Sequence, residues 1–221
     1  MESPVDDLEQ RLLDSGDGLT DIMPAAITLA MMFRHRTMAS WLRIEFEGYP
    51  EGTALPPYRV DLHGHIVARS PQYGWIQAPI SEQQTTEYGH VDTWDGVKTL
   101  EKICLNCKKG GGHQIKFSEE AQADIQQHIN LKAELALSVG RETYSDLLRV
   151  IRSAIYLWVE ELMALGLNGP HNSFSKEERE KAVNLDTPER YWRQAMEKVD
   201  ELPVPGVRSV GFFERMFGAT G

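Results

Sequence analysis

The sequence predicts an α+β fold, mostly helical, in which a small sheet packs against one long central helix. Two observations carry that prediction. Between Leu131 and Leu165 a strand pattern turns into the longest helical pattern in the chain. Leu131, Ala133, Leu135, Leu137 and Val139 alternate with Lys132, Glu134 and Ser138, as a half-buried strand requires. After Gly140, Tyr144, Leu147, Leu148, Ile151, Ala154, Ile155, Trp158, Leu162 and Leu165 recur at helical steps. Val150, Leu157, Val159 and Met163 widen that stripe, so the helix is expected to pack on two sides and to stop at Gly166. The second observation is a change of period near residue 50, from helical stripes to strand alternation.

In chain order, Ser3-Pro4 starts a short helix with Val5, Leu8, Leu12 and Leu13 on one side. Pro24 is expected to open a second helix and Thr37 to cap a third, the two forming a hairpin that turns at His35-Arg36. Arg34, Arg36 and Arg43 then read as a solvated face paired with Glu45 and Glu47. Turn chemistry fills Tyr49 to Pro57. Strands are expected over Tyr58–Arg69, with Val60, Leu62, Ile66 and Ala68 sharing a face, and over Trp75–Ile80. Glu87 to Trp94 reads as irregular, Gly96 to Cys107 as a helix, and Gly110 to Gly112 as a flexible turn. Ser118 caps a helix leading to the central strand, and Ser175 and Thr187-Pro188 open two more after Gly166. The organisation read from this is an α+β domain over 1–166, a helical extension over 167–202, and a linker with a short apolar tail over 203–221.

Composition narrows the function. With 33 acidic against 23 basic side chains the net charge is −10, which disfavours a sequence-independent grip on nucleic acid. Residues 1–14 are acidic rather than a signal peptide, and no apolar run reaches the roughly 20 residues of a membrane span, so a cytoplasmic protein is expected. Two cysteines cannot make a disulfide framework.

Three groups of residues are candidates for a site. Asp61, His63 and His65 alternate, which would bring a carboxylate and two imidazoles to one strand face for metal or acid–base chemistry; a polar solvent face explains the same pattern. Cys104, Cys107 and His113, with His90 or His128 as a fourth ligand, have half of a zinc spacing, against which stands a buried cysteine on an apolar stripe. No catalytic set and no cofactor is expected. Phe212, Phe213, Met216 and Phe217 would share one side of a short terminal helix, and are expected to dock on their own domain or on a second subunit.

The chain also resembles a known family, the AbiTii-type abortive-infection domain of bacterial antiphage loci. The resemblance is carried by the segment from Trp41-Leu42-Arg43 to Glu47-Gly48-Tyr49-Pro50, by Leu55-Pro56-Pro57-Tyr58-Arg59-Val60, by Gly74-Trp75 and Ala78-Pro79-Ile80, and by Ala133 to Val139 with Ile151-Arg152-Ser153 to Trp158. It covers roughly residues 5–165 and implies phage defence, with no catalytic residues to carry over. The expected function is therefore a non-enzymatic recognition or self-assembly module whose partner is a second copy or a phage or host protein. The alternative is a toxic metal-dependent hydrolase or nuclease using Asp61, His63 and His65.

Overall fold

The structure is a computed structural model that describes residues 3–107, 111–170 and 173–207. Helices α1 (Pro4–Leu13), α2 (Leu19–Phe33) and α3 (Arg36–Glu47) come first. The Ser3 hydroxyl caps α1 as expected, accepting from Val5 N at 3.2 Å, and Val5, Leu8 and Leu12 are buried. The next two helix starts differ from expectation, because both caps come from far along the chain. The Glu101 carboxylate accepts from Leu19 N and Thr20 N, so α2 begins before Pro24, which lies inside it. The Asp186 carboxylate accepts from Thr37 N and Met38 N, so α3 starts at Arg36 without Thr37 as its cap.

A 3-10 turn (Pro57–Arg59) leads to β1 (Leu62–Ser70) and β2 (Gly74–Gln77), followed by α4 (Glu82–Tyr88), β3 (His90–Val91) and α5 (Val97–Asn106). Then come β4 (Gly112–Lys116), α6 (Glu119–Ile129), β5 (Leu135–Gly140) and α7 (Arg141–Ala164). The order is β2-β1-β5-β4, with β3 pairing the first residues of β1, and every pairing is antiparallel. Leu62, Ile66 and Ala68 share a face with Leu135, Leu137 and Val139 and belong to the core. Val60 does not join them: it precedes the strand and is 40% exposed. The expected second strand is shorter, ending at Gln77; β3 lies where irregular chain was expected, α4 fills a stretch for which no helix was expected, and Gly112 is a strand residue.

The long helix α7 springs from the end of β5 and packs most extensively on α9 (Pro188–Lys198), then on α5 and α1. Trp158 at its centre is fully buried. Between α7 and α9 run α8 (Lys176–Lys181) and a 3-10 turn (Val183–Leu185), which add Ala182 and Leu185 to the same core as Tyr191 and Trp192 of α9. The chain then crosses back over α7: Arg149 Nε donates to Val204 O, and Val207 N donates to Ser145 Oγ. Among the described residues no helix is long and apolar enough to cross a membrane.

Candidate functional site

Of the first candidate group, His63 and His65 alternate on the exposed face of β1. Asp61 stands outside that alternation, one residue before the strand in a left-handed conformation with φ 58°. Its backbone N–H donates to Asp92 Oδ1 at 2.9 Å, and its own carboxylate lies 3.7 Å from His90 Nδ1. His90 faces His63 across the β1–β3 pair, whereas His65 faces Ser138 of β5. The result is an open row of polar side chains at the sheet surface.

The second group is spread further. Cys104 is fully buried with its Sγ 3.8 Å from Arg141 O, and burial pushes its thiol up to about 12, so at neutral pH it carries its proton. His113 is exposed on β4, edge-on to Tyr144 at 6.3 Å. It shares a cleft of about 500 Å³ with Cys107. The sheet order puts β1 and β5 between His90 and His113, three strand spacings or roughly 14 Å. Among the described residues no three His, Cys, Asp or Glu side chains are grouped so as to hold a metal ion. Phe212, Phe213, Met216 and Phe217 lie outside the described residues.

The structure assembles two polar centres that periodicity does not announce. In the first, Arg59 Nη2 lies 2.6 Å from Glu45 Oε2, and both side chains are fully buried. The hydroxyls of Tyr49 and Tyr58 each donate to Glu45 Oε1 at 2.5 Å, and Trp41 Nε1 donates to Tyr58 Oη at 3.1 Å. Burial first, and the Glu45 charge second, push both tyrosine hydroxyls above their ordinary range. Arg59 Nη1 also donates to Thr93 O and Asp95 O, which ties the α3 hairpin to the loop before α5. Gly48 is needed at that crossing: its φ is 106°, and an added Cβ would meet Trp94 O at 2.9 Å. Glu45 is therefore spoken for in the interior, and does not pair with the arginines of the helix surface.

The second centre is Arg152 of α7. Its guanidinium donates to the carbonyls of Arg11, Leu12, Asp14 and Asp17, closing the end of α1 with a cation where the last carbonyls lack helical partners. Both centres are satisfied and closed to solvent, which suits holding the fold rather than turning over a substrate.

At the surface of the hairpin, Arg34, Arg36 and Arg43 line one cleft of about 430 Å³ with Met31, His35, Ala39 and Ser40. Among the described residues none of the three has a carboxylate within 4.0 Å. Arg43 Nη2 instead lies 3.0 Å from Met31 Sδ.

The residues of the buried centres, from Trp41 to Arg59 and at Arg152, fall within the region where a family model, AbiTii, matches: residues 3–187 of the 221. No curated protein and no solved structure matches the chain. Because the matched region takes in well over half of its length, the chain belongs to the AbiTii family.

Proposed function

We propose that the chain fills the abortive-infection defence role against phage that membership in this family implies, and does so in the cytoplasm as a non-enzymatic module acting through protein contacts, with a second copy of itself as the first partner. The observation that carries the reading is the free edge of β2. Its sequence, Gly74-Trp75-Ile76-Gln77, has neither the charge nor the proline with which edge strands discourage pairing. Tyr73 at the turn is 77% exposed and Ile76 is 45% exposed. Beside them runs a groove of about 670 Å³ lined by Pro71, Pro79, Leu131 and Ala133. An antiparallel edge is its own complement under a two-fold axis, so β2 of one copy can pair with β2 of another.

The test is mass in solution by light scattering, alongside phage protection in cells. Tyr73→Ser with Ile76→Lys is expected to give a monomer and to lose protection. A parent protein that is already monomeric would shift the reading to a phage or host protein as partner. The apolar tail is tested separately by truncation after Val207, which keeps the contacts of Val204 and Val207 with α7. Replacing both His63 and His65 with Ala is expected to leave protection within a few-fold of the parent; complete loss in a folded protein would favour the hydrolase alternative.

A further inference from the structure

We infer that the cleft between α2 and α3 binds a phosphate-bearing small molecule, with Arg34, Arg36 and Arg43 as its cationic wall. Three guanidiniums that share one cleft of about 430 Å³ without a carboxylate within 4.0 Å repel one another, in a chain whose net charge is −10. The acids nearest in sequence do not relieve this: Glu45 is buried against Arg59, and Glu47 is exposed without an ion pair. A bound anion removes the repulsion.

The backbone adds an independent sign. Arg34 closes α2 in a left-handed conformation, with φ 62°, a position that glycine fills at least cost. It lines the same cleft as the other two arginines. A strained residue bearing the charge of a site is the pattern expected where strain serves binding.

The chemistry of the wall selects the ligand. Guanidinium forks match phosphate oxygens in pairs, and three of them suit the three or four charges of a di- or triphosphate better than the single charge of a carboxylate. Met31 and Ala39 offer apolar lining and Ser40 a hydroxyl, and the volume falls in the range of small-molecule sites. A long nucleic acid is disfavoured, because beyond the cleft it meets the acidic remainder of the surface. A small polyphosphate feels mainly the charges within a Debye length of roughly 8–10 Å. Arg34 and His35 also border a second cleft, which holds Glu180 and Asp186 with Lys176 and Arg179; its charges are mixed, so the ligand belongs on the α2–α3 side.

The test uses the full chain and titration calorimetry with tripolyphosphate, ATP and orthophosphate at low and at physiological salt. Tripolyphosphate and ATP are expected to bind and to raise the unfolding midpoint, with orthophosphate at least tenfold weaker. Arg34→Gly is the informative variant, since it relieves the left-handed backbone while removing a charge. It is expected to unfold no earlier than the parent yet to bind at least tenfold more weakly, and Arg36→Gln with Arg43→Gln to abolish binding while circular dichroism stays unchanged. No binding of either polyphosphate at millimolar concentration would overturn the proposal. So would binding undiminished in both variants, or duplex DNA binding more tightly than ATP.

Discussion

The helical layer and the sheet handle charge in opposite ways. Among the helices, Arg59 and Arg152 are buried, and every hydrogen bond they make is to a buried acid or a backbone carbonyl. On the sheet, ion pairs lie at the surface: Arg69 and Lys116 both reach Glu134, across strands, where water and salt screen them. A buried pair contributes little over an apolar one, yet removing one partner is expensive because the other remains desolvated. At Glu45, Arg59 and Arg152 the helical layer is thus intolerant of single changes, while Arg69, Lys116 and Glu134 on the sheet are free to vary.

The sharpest way to break that contrast is Glu45→Ala, which leaves Arg59 buried and four donor atoms, two on Arg59 and the hydroxyls of Tyr49 and Tyr58, without that acceptor. A loss of roughly 3–5 kcal/mol in urea unfolding is expected. Replacing both residues, Glu45→Leu with Arg59→Met, should recover much of it; an equal loss in the double variant would mean that the tyrosine contacts, rather than the stranded charge, set the cost. Arg152→Met comes next, with four carbonyls at and just beyond the end of α1 losing their guanidinium donor, of which Asp14 O keeps a bond from Asp17 N. Here roughly 2–4 kcal/mol is expected, together with faster hydrogen exchange in α1 than in α9.

A smaller effect should appear with pH. His35 is buried, and desolvation lowers its pKa from 6.5, opposed by the charge of Asp186 and by the carbonyl of Ala182. Trp158 Nε1 donates to His35 Nδ1 at 3.3 Å, an arrangement that requires this nitrogen to be unprotonated. Because the folded value is the lower one, the unfolded chain takes up the proton first. The stabilisation is complete above about pH 6.5 and is lost as pH falls from there through the folded value. Unfolding midpoints from pH 8 to 5 should show the decline, and His35→Phe should flatten it. Smallest of all is Glu134→Ala on the sheet, for which the midpoint is expected to stay within experimental error of the parent; a clear drop would erase the distinction between the two regions.

What could be read along the chain follows the range of each interaction. The central helix and the caps Ser3, Ser118 and Ser175 are local, and the structure has them; of the strand expected over 131–139, only the part from Leu135 is strand, and Leu135, Ala136 and Leu137 are all buried there. Where local pattern misleads, a distant partner intervenes. Val60 fits the alternation of Leu62 and Ile66, but burying Arg59 against Glu45 demands a turn there, and the strand starts two residues later. α4 has no buried apolar residue to give a stripe, although its Ser81-x-x-Gln84 capping box was present to be read. Cysteine and histidine spacing is likewise a statement about chain order: His113 does share a cleft with Cys107, but β1 and β5 separate His90 from it. The arginine cleft was visible as three basic residues; that their acidic neighbour points inward was not.

The cap on α3 has a consequence for how the molecule is made. Asp186 reaches back across 148 residues to Met38 N, so during synthesis the second half of the helical hairpin lacks this N-terminal partner until residue 186 has been made. At roughly 5–20 residues per second that delay is on the order of 10 s, long against the microseconds in which helices form and chains collapse. For that interval Phe33 lacks the Phe174 ring that stacks on it and α3 lacks its Asp186 cap, so the hairpin reaches its native surroundings only when the later helices arrive.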